Sequence, residues 1–411
     1  MGEWKTYTVA ELAAPGKHSL ATGPFGSAIA SRHFREAGVP VIRGGNLSVD
    51  VGTRLSDDGL VFISVEKANE FQRSVATEGD LVFTCWGTIG QVGIIDDKAV
   101  HGRYVVSNKQ MKLTVDESIV RPLFMYYAMS SPEMISRVQG ASIGSSVPGF
   151  NLTQLRSIIL SVPSLSEQRA IVEVLGALDD KIALNERIRE TSLLLANACY
   201  EAAGASGESM LIGELAELFD GPHATPHKTE AGPWFLSISS LKNGYLDLAE
   251  SAHLSEEDFP RWTRRVQPEA GDVLFSYETR LGDAALMPPG VRSSLGRRMA
   301  LLRSKSASIS GALLLHAYLS PAFQEEIKRR TVYGATVDRL PLKEMPGWRI
   351  PLPAEGERER LSARLEALHA SVMQTAAENR TLADLRDTLL PQLLSGKLQV
   401  RDAVRAVEEV V

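Results

Sequence analysis

The chain has two cysteines, Cys85 and Cys199, in 411 residues. That rules out a disulfide framework and fits a reducing compartment. No run approaches the ~18–20 apolar residues of a membrane span, and residues 1–9 lack the apolar stretch of a secretory signal, so a cytoplasmic protein is expected. A basic excess is missing too: 44 Lys and Arg against 50 Asp and Glu give a net charge of −6. Such a chain does not grip nucleic acid by charge alone. With 44% apolar and 23% charged residues it can nevertheless bury sizeable cores, and its length predicts two to four domains.

Catalytic signatures are also scarce. The only Pro-Pro, in Met287-Pro288-Pro289-Gly290, does not fit the Asn/Asp-Pro-Pro-Tyr/Phe tetrapeptide of amino-directed DNA methyltransferases. GTIGQVG (87–93) has the wrong glycine spacing for a dinucleotide loop and reads as a strand-to-strand turn. Gly396-Lys397-Leu398 and Gly16-Lys17-His18 both fail the last position of a phosphate-binding loop. Glu326-Ile327-Lys328 has nuclease-like spacing, but it lies in a helical stretch where such pairs form a solvated face. His223 and His227 stand four apart in a Pro-interrupted loop with no further ligand nearby, a poor metal site. Gly140-Ala141-Ser142-Ile143-Gly144 matches G-x-S-x-G, but it follows a helix and not a strand. No catalytic residue and no metal ligand is assigned.

What the chain does have is itself twice. EGDLVFTCWGTIGQVGII (78–95) recurs as AGDVLFSYETRLGDAALM (270–287), with Asp80 and Asp272 192 positions apart. GPFGS (23–27) pairs with GPHAT (221–225), and GVPVIRGGNLS (38–48) with GPWFLSISSLKNG (232–244). SSPEMISRV (130–138) pairs with LSPAFQEEI (319–327), LRSIILSVP (155–163) with MPGWRIPLP (345–353), and EQRAIVEVLGALDDKI (167–182) with ERERLSARLEALHASV (357–372). Six matches in one order, their offset drifting between 198 and 189, describe two diverged copies of one fold.

Each copy opens with about 160 residues of mixed character. Short apolar runs such as Leu81–Phe83, Gly93–Ile95 and Ile158–Val162 predict strands, while Arg121–Arg137 and Gly311–Arg330 carry helical periodicity. Each copy closes on one long helix. Leu361, Leu365, Leu368, Val372, Thr375, Asn379, Leu382, Arg386, Leu389 and Leu393 keep strict 4,3 spacing. Ile171, Leu175, Leu178, Ile182, Asn185, Arg189, Ser192 and Ala196 do the same in the first copy, where Leu193–Leu195 blur the phase. Asn185, Thr375, Asn379 and Arg386 either fix the register or sit near frayed, partner-facing ends. Pro391 predicts a kink or an end, and Ser395–Gly396 a C-terminal stop.

The expected fold is α+β: two similar globular heads, residues 1–163 and 204–353, separated by two long antiparallel coiled-coil helices, 164–203 and 354–400, in a pseudo-two-fold internal repeat, with a tail at 401–411. At ~1.5 Å per residue such helices predict a spacer of roughly 50–60 Å between the heads. Net charge is 0 over residues 1–163 and −1 over 204–353, against −3 over 164–203 and −2 over 354–411. The heads are neutral and the helices acidic. Basic residues cluster within the heads, as at Arg261, Arg264 and Arg265, at Arg292, Arg297, Arg298 and Arg303, and at Arg32, Arg35, Lys109 and Lys112.

LSVPSLSEQRAIVEVLGALDDKIALNERI (160–188) resembles the central conserved region of the specificity subunits of Type I restriction–modification systems, and TLADLRDTLLPQLLSGKLQV (381–400) resembles their distal one. Residues 23–47, 79–95 and 220–241 are similar to segments of that family's target recognition domains. The C-terminal copy departs from the pattern, with Glu357-Arg358-Glu359 where Glu167-Gln168-Arg169 stands in the first. The resemblance implies a noncatalytic, cytoplasmic subunit for phage defence that reads double-stranded DNA. Each recognition domain would take one half of an asymmetric bipartite target, and the helices would set the gap. Modification subunits, two of them, would dock on the helices and methylate adenines, with S-adenosylmethionine bound there. Restriction subunits using ATP and Mg would complete the assembly, and this chain would bind no cofactor.

Base-reading positions are expected in polar loops: Ser27, Arg43, Asn46, Trp86, Thr88, Arg103 and Lys109 in the first head, and His223, Thr225, Lys228, Tyr277, Arg280, Arg297 and Arg298 in the second. Ser145, Ser146 and Asn151 precede the first long helix and face either DNA or a partner. A coiled-coil scaffold whose heads bind proteins in another defence or regulatory complex is the competing reading. An enzyme with an unfamiliar motif is a third.

Overall fold

A computed structural model describes residues 4–143, 148–204, 207–242, 244–334 and 337–410. The chain divides into two compact units: Met1–Ile182 with Arg380–Val411, and Ala183–Asn379. Each long helix contributes to both. The first runs Leu165–Gly204 and the second Glu355–Leu394.

In the first unit the head begins and ends on one antiparallel pair, Lys5–Thr8 against Ile159–Val162. Its main sheet is four-stranded and antiparallel, in the order Leu20–Thr22, Gln110–Leu113, Leu81–Thr84, Val92–Ile94. A second four-stranded sheet sets Val39–Ile42 parallel to Tyr104–Val106 at its centre. The strands expected from Leu81–Phe83, Gly93–Ile95 and Ile158–Val162 are present within a residue. The expected helix at 121–137 is two helices, Pro122–Met129 and Pro132–Gly140. Pro132 has no N–H to continue the ladder, and the Ser131 hydroxyl accepts from Met134 N–H at 3.3 Å to open a new helix.

The second unit repeats the main elements, with three strands in its second sheet where the first head has four and a further two-stranded pair at Leu241–Lys242 and Tyr245–Leu246. Glu208–Leu211 pairs with Arg349–Leu352, and a four-stranded sheet runs Ala216–Asp220, Met299–Ser304, Val273–Ser276, Ala284–Leu286. Thr229–Phe235 lies parallel to Ser293–Ser294, as its counterpart does in the first head. Gly311–Leu319 and Pro321–Arg330 break at Ser320-Pro321 for the reason given above, with Ser320 capping Phe323 N–H at 3.4 Å. Both copies also keep a buried aspartate under the sheet. Asp80 takes Thr77 N–H at 2.9 Å and Lys112 at 3.0 Å; Asp272 takes Glu269 N–H at 2.8 Å and Arg303 at 2.7 Å. Lys112 and Arg303 therefore hold sheets together and leave the basic clusters to which sequence had assigned them.

The helix seams bury Ile171, Leu175 and Leu178 with Leu382 and Leu389 in the core of the first unit, and Leu361 and Leu365 in that of the second. Val372 is also buried, while Ile182 and Leu368 are half-buried against these cores. Burial of an apolar side chain is worth about 1.5–3 kcal/mol, so this seam is the main adhesive. Its polar positions are paired. Asn185 Nδ2 donates to Asn379 Oδ1 at 2.8 Å and to Glu378 at 3.0 Å, and Asn379 Nδ2 donates to Glu186 at 2.9 Å. Asn185 and Asn379 are therefore paired from helix to helix and not placed at frayed ends, whereas the Thr375 hydroxyl donates back to the Ser371 and Val372 carbonyls of its own helix. The second helix runs through Pro391 to Leu394, three residues beyond the expected break. It stops at Gly396, whose φ of 69° suits a helix end. Residues 400–408 form a further helix. No helix among the described residues is long and apolar enough to cross a membrane.

Each long helix is riveted to its head at the end of its first turn. Gln168, fully buried, donates to the Ile119 and Pro163 carbonyls at 2.9 Å and accepts Arg121 N–H at 2.8 Å. Arg358 holds the matching place in the second unit, its Nε on the Pro353 carbonyl at 2.9 Å. The sequence departure at Glu357-Arg358-Glu359 thus exchanges one buried donor for another.

Candidate nucleic-acid interface

Parallel strands put their C-terminal ends, and the loops leaving them, on the same side of a sheet. In the first head Val39–Ile42 and Tyr104–Val106 deliver Arg43 and Ser107 to one rim. The Gly23 N–H donates to the Gln110 carbonyl at 2.9 Å and the Cys85 N–H to the Lys109 carbonyl at 2.8 Å. Four loops, 23–27, 43–46, 85–91 and 107–110, are thereby tied into one edge. Gly23 permits the approach, since a Cβ there would come within 1.8 Å of the Ser107 carbonyl oxygen.

The second head builds the same rim from 221–225, 237–240, 277–283 and 295–298. Gly221 N–H donates to the Met299 carbonyl at 2.9 Å and Tyr277 N–H to the Arg298 carbonyl at 3.2 Å. Gly87 (φ 93°) and Gly90 (φ 95°) have their counterparts in Thr279 (φ 70°) and Gly282 (φ 91°). Arg298 also has positive φ, at 70°. Two non-glycine residues in this region are a stored strain of order 1–3 kcal/mol each, a pattern that clusters where geometry serves function.

The rims collect Ser27, Arg43, Trp86, Thr88 and Lys109 in one head, and His223, Thr225, Arg280, Arg297 and Arg298 in the other. Trp86 is 49% exposed and stands over Gly149, an unusual posture for so large an apolar ring. Arg43 donates to the Gly59 carbonyl at 2.7 Å, and Thr88 Oγ1 to Gln91 at 2.6 Å. His223 lies 3.2 Å from the Asp220 carboxylate and 3.5 Å from the Tyr277 hydroxyl. Arg298 is held by Glu278 at 2.9 Å and donates to Thr279 Oγ1 at 3.2 Å, and Arg280 pairs with Asp283 at 2.6 Å.

Other expected positions lie differently. Asn46 is 2% exposed: its Oδ1 accepts Arg43 N–H at 3.0 Å and its Nδ2 donates to the Ser56 and Asp58 carbonyls, so it builds the rim and does not face outward. Tyr277 is buried, and burial, followed by Asp220, raises its phenol pKa. Arg103 precedes Tyr104–Val106 at the end opposite the rim, bonded to Asn69 at 2.9 Å. Asn151 is exposed and caps the helix Leu152–Ser157 through Gln154 N–H at 3.0 Å. Lys228 is exposed just before Thr229–Phe235. Gly144, Ser145 and Ser146 lie outside the described residues. Cys85, beneath the rim, is buried, and burial pushes its thiol up to about 11, which leaves it unreactive. Glu326 is held by Arg329 and Arg330, a salted helix face. Sequence reading missed Gly44, Gln91 and Gln110, which lie between the loops, because amides and glycines at strand ends carry no distinguishing pattern.

This architecture, a head that closes on its own long helix and is then repeated, is found in a known class. Residues 2–191 match the family model described as the Type I restriction modification DNA specificity domain. The chain is 20% identical over 323 residues to the Type I restriction enzyme MjaVIII specificity subunit of Methanocaldococcus jannaschii, covering 72% of this chain and 75% of that one. It is 28% identical over 164 residues to the HindI specificity subunit of Haemophilus influenzae, a match that spans 36% of this chain and only 35% of that relative. Among solved structures it shares the fold of a Type I restriction–modification S subunit from M. genitalium, with a TM-score of 0.58 at 15% identity, over 95% of this chain and 96% of that one. The class is that of specificity-domain proteins. Residues 2–191 thus carry the match to that specificity domain, and the chain as a whole is similar to the specificity subunits of Type I restriction–modification systems.

Proposed function

We propose that this chain is the noncatalytic DNA-reading subunit of a Type I restriction–modification complex, working in the cytoplasm. Residues 1–163 and 204–353 are its two target recognition domains, each reading one half of an asymmetric bipartite site. Residues 164–203 and 354–400 set the unread gap and carry the docking faces for two modification subunits, which bring S-adenosylmethionine to an adenine in each half. A restriction subunit using ATP and Mg joins for cleavage.

One observation carries the reading: the same four-loop rim is built twice on the same backbone scheme, with different side chains on each copy. Equal frames with unequal lettering suit two readers of two different half-sites. The rims offer Arg, Lys, Thr and His, the residue types that contact phosphates and base edges. Near-neutral heads fit a complex in which partner subunits supply much of the phosphate contact.

Co-expression with the modification subunits and genome-wide mapping of methylated adenines tests this. A bipartite asymmetric motif is expected, and exchange of residues 1–163 for another recognition domain should change one half of it. No bipartite motif, or an exchange that changes neither half, contradicts the proposal.

A further inference from the structure

The rim of the first head contains an amide with nothing to bind. Gln110 begins the strand Gln110–Leu113 and is fully buried. Its Oε1 accepts from the Ser107 hydroxyl, but no partner reaches Nε2. Buried polar groups are almost always paired, and an exception calls for a reason. Nε2 faces Gly44. A methyl group built on Gly44 would lie 3.7 Å from it, 3.9 Å from Gln91 Oε1 and 3.9 Å from Thr88 Oγ1. Three polar groups from two loops thus converge beside Gly44, where no side chain stands.

Two of the three are committed. Gln91 Oε1 takes the Thr84 and Thr88 hydroxyls at 3.2 and 2.6 Å, and Gln91 Nε2 donates to the Leu47 carbonyl at 2.9 Å. The valence left over is a donor, so the missing partner is an acceptor. The second head has closed the same place. Cys85-to-Lys109 and Tyr277-to-Arg298 are equivalent backbone bonds, which sets Met299 where Gln110 stands. Thr84-to-Gln91 and Ser276-to-Asp283 are equivalent too, so the Arg280–Asp283 ion pair replaces Thr88–Gln91. Ile238, which opens the matching 3-10 turn, replaces Gly44. The unpartnered buried donor beside a glycine is a property of one head and not of the fold.

We propose that Gln110 is a specificity-determining residue of the first head, its Nε2 donating to an acceptor on a base edge through the opening left by Gly44. The acceptor is a purine N7 or O6 or a thymine O4, the groups a duplex displays in its major groove. Thr88 Oγ1 stands beside it as a second contact. Gly44 allows the approach because it has no side chain to stand between the base and the amide. The proposal rests on the DNA-reading function above and adds to it a named residue, a polarity and a half-site.

The test uses the full chain in complex with its modification subunits. Gly44→Ala puts a methyl at ordinary contact distance in front of the amide, at a residue whose φ is not in the left-handed region, so the fold tolerates it. Gln110→Met installs the second head's residue and removes the bare donor. Both complexes are assayed by adenine mapping and by binding to duplexes varied at each base pair, at several salt concentrations. Discrimination at one base pair of the first half-site should fall about tenfold in both variants. The second half-site and the salt slope should not change, and Gln110→Met should melt no lower than the parent. A merely structural glutamine would lower stability and leave the motif intact. Unaltered discrimination overturns the proposal. So does uniform weakening across sequences with the salt slope reduced by about 1, which marks a phosphate oxygen as the acceptor. A parent complex with no bipartite motif overturns the DNA-reading function itself, and the proposal with it.

Discussion

Each unit has one junction where its head meets both long helices, and the two junctions are built from opposite chemistry. In the first, the Tyr127 hydroxyl donates to Asp179 at 2.6 Å, and Arg54 and Arg386 reach the same carboxylate at 3.3 and 3.2 Å. In the second, His316 and His369 hold the places of Tyr127 and Asp179, and Asn197, one residue beyond the position that matches Arg386, completes the network. His316 Nδ1 lies 2.8 Å from Asn197 Oδ1, and its Nε2 lies 2.9 Å from His369 Nε2. The amide oxygen only accepts, so His316 carries its proton on Nδ1 and His369 donates from Nε2. That leaves His369 Nδ1 bare, and it is a buried atom with no partner. A duplicated fold has therefore filled one slot with a multivalent ionic knot and the other with a chain of neutral rings. What the slot requires is a hydrogen-bonded polar network linking head to spacer, not a particular charge.

The largest effect that could break this comparison is removal of the hub. Asp179→Ala leaves Arg54 and Arg386 buried without their shared carboxylate, and should destabilise the first unit by about 3–5 kcal/mol. His369→Ala removes a neutral hydrogen bond and part of a packed ring, and should cost the second unit about 2–3 kcal/mol. Hydrogen exchange resolved along the two helices reports each unit separately. Equal losses would mean that the ionic character of the first junction contributes nothing beyond its packing.

Acidification sharpens the same contrast. Burial pushes His316 down to about 3, with the neighbouring His369 adding to it, and burial pushes His369 down to about 4. Both rings are neutral in the folded state and titrate near 6.5 when unfolded. Stability from this pair is complete above pH 6.5 and is lost as pH falls from there toward 4, because only the unfolded state takes up protons in that window. At pH 5.5 the second unit should be weaker by about 2–3 kcal/mol than at pH 7.5. The first junction should be unmoved: burial, followed by Asp179, holds the Tyr127 phenol protonated, and arginine keeps its charge throughout. Faster exchange at Leu361–Val372 below pH 6 is the expected signature, and a His316→Gln/His369→Leu variant should abolish it.

Local pattern carried some of this fold into the sequence and not the rest. The strand around Asp80 and its copy around Asp272 could be read from apolar runs and turn signals alone. The helix seams were equally plain, since 4,3 spacing over several turns has no common alternative. The breaks at Pro132 and Pro321 were spelled out by Ser-Pro pairs and were missed only because periodicity continues across them. The junction networks were invisible for a different reason. Asp179 and Arg386 stand 207 residues apart, and each on its own looks like a solvated helix charge. Long-range polar pairing leaves no periodic trace. The rim was half legible: its loops followed from the repeat, but which side chains point outward did not. Asn46 faces inward because its amide satisfies its own turn, and Gln110 is hidden under a glycine.

The smallest effect tests the rims at a shared positive-φ position that is glycine in one head and threonine in the other. Gly87 and Thr279 occupy the same turn with φ of 93° and 70°. A glycine rests there without strain, whereas a β-branched residue is disfavoured by about 1–2 kcal/mol. Gly87→Ala should therefore cost the first unit about 1 kcal/mol. Thr279→Gly should stabilise the second by about 0.5–1 kcal/mol, the released strain being partly offset by glycine's larger unfolded-state entropy and by the lost bond to Arg298. Thermal melting of the two variants measures the pair of shifts, which must have opposite signs if the turns are equivalent. A stabilised Thr279→Gly chain that reads its second half-site less sharply would show why the strained residue is kept: threonine holds Arg298 in place, and a relaxed glycine lets it move.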